Sequence, residues 1–224
     1  MAENSASSKL NVTRLVLVPA LITLAVTLLR LIGELQHWPS MLFSRAEGGG
    51  AAIVGISWLP IIFGPYFGVK LFDQGRGPSS FGKTIGFALL GFVLLIFGAG
   101  LAFASNFTFP GRIPLGLLLI VVAVVAQYVP WRELARVQIA YAYTARIPVA
   151  IIMFFAMQYN WGTHYDAVPP QYEHMAFWPK YMLLAFAPQL VMWIAYTMVV
   201  GAFFGGIYVA IVRRRKPAAA SAGA

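Results

Sequence analysis

Long apolar runs separated by short polar segments dominate the sequence. The predicted spans are 15–36, 51–72, 82–104, 113–129, 134–158 and a longer final run, 181–212. Most of these runs approach or slightly exceed the roughly 20 residues that a helix needs to cross about 30 Å of hydrocarbon. The pattern predicts an all-α, polytopic transmembrane bundle of about six spans, with no internal repeat.

Prolines are predicted to interrupt the helices of the second and the final run. Pro60 and Pro65 lie in the second run, where each removes one backbone hydrogen bond and favours a kinked or partly broken helix. The final run would be about 48 Å long as a single helix, which exceeds the membrane. Pro188 is therefore predicted to divide it into an interfacial piece and a span that begins near residue 190.

Glycines are spaced so that helices can approach closely. The pairs Gly64/Gly68 and Gly201/Gly205 have the small-xxx-small spacing that brings helix backbones together. We expect this packing within the chain, and a contact between two copies is the alternative. The run from Gly48 to Gly50 predicts a turn before the second span, although its amides near Arg45 could also hold a carboxylate or phosphate.

Composition agrees with a membrane protein and leaves no room for a soluble catalytic domain. The 224 residues are 60% hydrophobic and only 10% charged, whereas about a quarter of the residues in soluble domains are charged. We predict one transmembrane domain, 15–212, with a polar tail at 1–14 and a basic, Ala-rich tail at 213–224. The first apolar run is too long for a signal peptide and is expected to be retained.

Absent residue types exclude several kinds of chemistry. The chain has no cysteine, so disulfides, thiolate nucleophiles and iron–sulfur clusters are excluded. No histidine lies within a predicted span, which argues against haem held by two histidines, and no hydrolase, metalloprotease or nucleotide-binding motif occurs. We therefore predict no cofactor and no metal, and favour a function other than catalysis.

The formal charge of +9 comes from basic residues near the ends of the apolar runs. This placement orients helices in a membrane and does not indicate nucleic-acid binding. With a cytoplasmic N-terminus, the residues inside are Lys9, Arg14, Lys70, Arg76, Lys83, Arg132, Arg136, Arg213, Arg214, Arg215 and Lys216, and those outside are Arg45, Arg112 and Lys180. Both termini are thus predicted to be cytoplasmic, in a bacterial inner membrane, with the C-terminal basic run against anionic headgroups.

Three charged residues lie inside predicted spans: Arg30, Glu34 and Arg146. An ionisable group at membrane depth costs at least a few kcal/mol and requires a partner, water or a function. Arg30 and Glu34 are spaced i, i+4 and can neutralise each other. Arg146 lies near the midplane, where it either forms a structural ion pair with Glu34 or belongs to an anion or proton pathway; Gln189 and Trp193 are among its expected polar and aromatic neighbours.

A second polar cluster is predicted at the outer face. Its members are His37, Arg45, Glu47, His164, Asp166, Glu173 and His174. Histidine and carboxylate side chains are ordinary zinc ligands, but their spacing matches no metal motif. Because Tyr159, Trp161 and Tyr165 are among the aromatic residues of the same loop, an interfacial aromatic belt is the favoured interpretation.

These features support three hypotheses for function. The first is a small-solute or ion transporter or channel-like protein, with an outward-facing polar site between spans one, two and five. The second is a non-catalytic subunit or scaffold of a membrane complex, in which the same charges are structural, with homo-oligomers or other membrane proteins as partners. The third is a membrane enzyme that acts at the outer face.

Overall fold

The structure is a computed structural model that describes residues 10–50, 52–104 and 108–213. Within these ranges, all regular secondary structure is helical. The helices are α1 (Val12–Leu35), α2 (Leu59–Asp73), α3 (Phe81–Phe103), α4 (Arg112–Ala126), α5 (Arg132–Tyr159), α6 (Phe177–Tyr181) and α7 (Trp193–Arg213). The predicted tails lie largely outside the described residues.

Four helical stretches are long and apolar enough to cross a membrane, and they indicate a membrane protein. They are α1, α3, α5 and the continuous stretch Phe177–Arg213. In contrast, α2 and α4 have 15 residues each, which corresponds to about 22 Å and is shorter than the hydrocarbon layer. The described residues thus contain four helices of spanning length, together with two shorter helices where further spans were predicted.

The predicted span 51–72 is wrong in its first part, because residues 52–58 are not helical and α2 begins only at Leu59. Pro60 lies in the first turn of α2, where its missing N–H costs no helical hydrogen bond. Gly55 precedes this start, and glycine disfavours a helix because it loses more conformational freedom on folding than any other residue. The apolar run therefore continues through an irregular segment before the helix begins.

Glycines set the closest helix contacts, and the prediction that they pack within the chain is confirmed. A Cβ atom added to Gly64 would overlap the backbone of Gly201, and one added to Gly205 would lie 2.8 Å from the carbonyl oxygen of Gly64. The crossing of α3 and α4 is similar, since a Cβ on Gly98 would lie 2.8 Å from the oxygen of Gly116. Backbones this close leave no space for any side chain at the crossings.

One end of the bundle is filled by apolar side chains, and we call it the closed end. Leu15 of α1, Leu71 of α2, Trp131 before α5 and Val209 of α7 belong to one buried cluster there. The start of α1 and the end of α7 thus lie at the same end. The Trp131 indole donates a hydrogen bond of 2.7 Å to the carbonyl oxygen of Arg76, which fixes the loop between α2 and α3 against α5.

The last helical stretch is not divided at Pro188, contrary to the prediction. The segments Met182–Phe186 and Pro188–Met192 are π-helical, and they join α6 to α7 without a break. The wider π-helical turn accommodates Pro188, which has no N–H group to donate an i to i−4 hydrogen bond. Gln189 and Trp193 of this stretch line the cavity described below.

Candidate functional site

A cavity of about 380 Å³ lies at the end of the bundle opposite the closed end. Its walls come from α1, the segments 47–50 and 52–57, α5, the loop after α5 and the π-helical segment. The polar and aromatic lining residues are Thr27, Arg30, Glu47, Ser57, Arg146, His164, Tyr165, Gln189 and Trp193. Glu47 and Ser57 are exposed, whereas Thr27 and Arg146 are buried, so the cavity extends from a solvent-exposed rim to a buried floor.

Arg30 holds the rim of the cavity against α1. Its Nε donates to Glu34 Oε1 at 2.7 Å, and its Nη2 donates to the carbonyl oxygens of Ser44 at 3.2 Å and Gly49 at 2.8 Å. A Cβ on Gly49 would lie 2.7 Å from Nη2. Gly48, Gly49 and Gly50 all have positive φ, so the turn predicted from the glycine run is confirmed and it fits tightly around the guanidinium group.

Glu34 connects α1 to the loop that follows α5. The carboxylate is completely buried and accepts two further hydrogen bonds, from the backbone N–H of His164 at 2.8 Å and from His164 Nδ1 at 2.7 Å. The i, i+4 pair of Arg30 and Glu34 is therefore present, as the spacing indicated. A single carboxylate holds both segments that form the cavity rim.

His164 is a neutral partner in this network. Burial lowers the pKa of its imidazole; the hydrogen bond to Glu34 acts in the opposite direction, and the charge of Arg30 adds to the lowering. Because Arg30 already compensates the charge of Glu34, a second positive charge gains little at this position. The neutral ring donates from Nδ1, which leaves Nε2 as an acceptor.

Arg146 is a deeply buried charge in the cavity wall. Its residue is only 4% exposed, and its place in the middle of α5 is about 20 Å from either helix end. Nη1 donates to Gln189 Oε1 at 3.3 Å, and the guanidinium carbon lies 4.4 Å from the centre of the Trp193 ring. Its Nε has no hydrogen-bond partner among the described residues.

Arg146 forms no ion pair with Glu34, so the predicted alternative of a structural pair between them is not what the structure shows. Glu34 forms an ion pair with Arg30 and a hydrogen bond with neutral His164, and no carboxylate of the described residues pairs with Arg146. Gln189 and Trp193 are instead its neighbours, as the sequence suggested. These two partners are neutral and leave the positive charge uncompensated.

The predicted outer polar cluster does not assemble as one group. Only Glu47 and His164 line the cavity, while Arg45 contacts His37 on an exposed surface. Glu173 and His174 are exposed and lie outside the cavity lining. No group of three His, Asp or Glu side chains arranged to hold a metal ion occurs in the described part of the chain.

Asp166 shapes the loop and does not line the cavity. Its carboxylate accepts hydrogen bonds from the backbone N–H groups of Gly162 and Thr163, both at 2.8 Å, and from the Thr163 hydroxyl at 2.6 Å. These bonds close a local turn. The turn places His164 beside Glu34, so Asp166 contributes to the site through the position of its neighbour.

Sequence reasoning missed Ser57 and assigned Tyr165 to an interfacial belt. Tyr165 is 3% exposed, and its hydroxyl donates to the Thr27 carbonyl oxygen at 3.4 Å. Burial raises the pKa of this phenol, so it remains a neutral donor. The threonines of α1 were the available signal, because Thr23 and Thr27 recur one turn apart on the face that α5 covers.

The arrangement has the chemistry of an anion-binding site. A buried guanidinium without a carboxylate partner among the described residues, beside a neutral amide and an aromatic face, favours a negatively charged group over water. The cavity volume fits a small molecule. No protein-family model, no curated protein and no solved structure matches this chain.

Proposed function

We propose that this protein binds a small anionic solute in the cavity and moves it across a bacterial inner membrane, as a transporter or channel-like protein. Arg146 carries this proposal: it is buried in the cavity wall, and no described carboxylate neutralises it. A cation at this depth is costly unless it meets an opposite charge or water. A bound anion would supply that opposite charge.

The cavity is proposed to open outward, with both termini in the cytoplasm. Arg14, Lys70, Arg76, Lys83 and Arg132 lie near helix ends of the closed end, whereas Arg45, Arg112 and Lys180 lie toward the cavity end. This bias supports a cytoplasmic closed end. Arg213 forms an ion pair with Asp73 at 2.6 Å, and the rest of the predicted headgroup-binding run lies outside the described residues.

Binding to the purified protein in detergent tests the proposal. Calorimetric titration with acetate, propionate, butyrate and inorganic phosphate measures whether a small anion binds. Arg146→Gln keeps the hydrogen-bonding capacity but removes the charge, so we expect at least about 30-fold weaker binding, equivalent to about 2 kcal/mol for a lost charge-assisted hydrogen bond. Arg146→Lys should bind with intermediate affinity, since it keeps the charge alone.

Arg112→Gln is the matched control, because Arg112 donates to the carbonyl oxygens of Leu101 and Ala104, outside the cavity lining. This variant should bind like the wild type. Equal binding by Arg146→Gln and the wild type, or no binding of any anion by the wild type, would contradict the proposal. An unfolded Arg146→Gln protein would instead support the structural role expected of a complex subunit.

Uptake into proteoliposomes tests the transport step separately. The anion that binds best, radiolabelled, should accumulate in vesicles that contain the wild-type protein and not in vesicles that contain Arg146→Gln. Binding without uptake would leave a membrane receptor or subunit and would overturn the transport proposal.

A further inference from the structure

Two opposite charges in the cavity wall have no ion-pair partner in the part of the chain that the structure describes. Arg30 is paired with Glu34, and neutral His164 shares the same carboxylate. Arg146 and Glu47 both line the cavity, but neither belongs to an ion pair within the described residues. The wall therefore presents one uncompensated cation and one uncompensated anion to whatever occupies the cavity.

The two charges differ in depth. Arg146 is 4% exposed and lies in the middle of α5, whereas Glu47 is exposed and begins the glycine turn at the rim. A simple anion bound at Arg146 would share the cavity with the like charge of Glu47, which disfavours it. A ligand with a carboxylate at one end and an ammonium group at the other would match both ends.

We infer that the ligand is a small zwitterion, an amino acid in the broad sense. This inference rests on the proposed function and narrows its substrate class. The carboxylate accepts from Arg146, and the ammonium group lies toward Glu47 at the rim. A charge pattern that is complementary to a ligand at both ends selects against molecules that carry only one of the charges.

The other lining residues restrict the body of the ligand. Ile56, Val149 and Met153 add apolar surface to the cavity wall, and the volume of about 380 Å³ lies at the small end of ligand cavities. The ligand class is therefore compact, with a short aliphatic chain. The number of carbons between its charges should correspond to the distance from the floor to the rim.

A series of ω-amino acids tests the inference on the full-length protein. Glycine, β-alanine, 4-aminobutyrate and 5-aminopentanoate are titrated beside the carboxylates and the alkylamines of the same chain lengths. We expect one amino acid of the series, or an α-amino acid such as L-alanine, to bind at least about tenfold more tightly than its matched carboxylate. The matched amine should bind most weakly, because it meets Arg146 without a carboxylate.

Two variants separate the charges. Glu47→Gln should weaken binding of the preferred amino acid and strengthen binding of its matched carboxylate, so that their affinity ratio falls to about one or below. Arg146→Gln should weaken binding of both. Glu173→Gln removes an exposed carboxylate outside the cavity and should leave the ratio unchanged.

The outcomes distinguish the two proposals. If wild-type protein binds the carboxylates as tightly as the amino acids, or if Glu47→Gln keeps the ratio, the ligand is a plain anion: the zwitterion inference fails and the proposed function stands. Tightest binding of amines overturns both, because it places no anion at Arg146. The absence of binding by every probe also overturns both.

Discussion

The closed end and the cavity end of this bundle are held together by different interactions. At the closed end, apolar side chains such as Leu71 and Val209 fill the space between helices whose backbones meet at glycines. At the cavity end, segments 44–50 and 163–165 are not continuous helices, and they are attached through Arg30 and Glu34. The closed end is stabilised by close apolar packing, and the cavity end by hydrogen bonds and an ion pair of charged side chains.

The difference shows how a helical protein keeps a cavity without losing its fold. At the glycine crossings, helix backbones are in direct contact. A larger side chain at these positions would therefore push the helices apart. An irregular segment has no such packing, and its backbone groups must find partners. Arg30 supplies donors to two of these carbonyl groups, which allows the cavity rim to remain open and polar.

Glu34→Gln should have the largest effect on stability, if the cavity end depends on charge. This change leaves the Arg30 guanidinium without its carboxylate, and we expect a loss of about 3 kcal/mol in the free energy of unfolding, typical of breaking a buried ion pair. Hydrogen exchange should increase in residues 44–50 and 163–165. Both are measured on the detergent-purified protein.

Asp73→Asn is the control for this prediction. It breaks the other carboxylate–guanidinium pair of the described residues, with Arg213 at the closed end, but the Asp73 side chain is 50% exposed. Exposed pairs contribute little, so the expected loss is at most about 1 kcal/mol. Equal losses for the two variants would contradict the proposed contrast between the ends.

Gly64→Ala tests the packing between α2 and α7. The added methyl group would overlap the backbone of Gly201, and because backbone cannot move aside as a side chain can, we expect a loss of about 2 kcal/mol. Gly86→Ala is the matched change in α3, where a Cβ would meet nothing within 4 Å. It should be neutral or stabilising by up to about 1 kcal/mol, through helix propensity. If Gly64→Ala leaves the free energy of unfolding unchanged, α2 and α7 can move apart at this crossing without loss of stability.

Acidification should weaken the cavity end through His164, with the smallest effect of the three. The folded-state pKa of His164 is lowered, chiefly by burial, so the unfolded chain binds this proton more readily, near its ordinary pKa of about 6.5. Stability is therefore complete above that pH and declines as the pH falls below it, by at most about 1.4 kcal/mol per unit of pKa shift. The decline is detected by measuring unfolding midpoints from about pH 7.5 to about pH 5, a range that brackets the ordinary pKa of histidine.

His164→Gln identifies the group responsible. This variant keeps a hydrogen-bond donor for Glu34 but cannot titrate, so its unfolding midpoint should change less with pH than that of the wild type. If the wild type and the variant show the same pH dependence, His164 is not its source.

Several local features followed from the sequence because they depend on neighbours in the chain. The Arg30–Glu34 pair follows from i, i+4 spacing, and the turn at Gly48 to Gly50 follows from the conformational freedom of glycine. In contrast, the start of α2 at Leu59 was not predicted. Hydropathy does not distinguish an apolar helix from an apolar irregular segment, since both prefer the same surroundings.

The sequence by itself determined the apolar helical character of the chain, the approximate position of most helices and the presence of costly charges at Arg30, Glu34 and Arg146. These properties depend on the free energy of transferring each side chain from water to the membrane, and each residue contributes its own part of that free energy. Only the tertiary structure decided which charges are neutralised. Glu34 has room for a limited set of donors, and the fold brings it Arg30 and His164, so Arg146 is left without a carboxylate partner among the described residues.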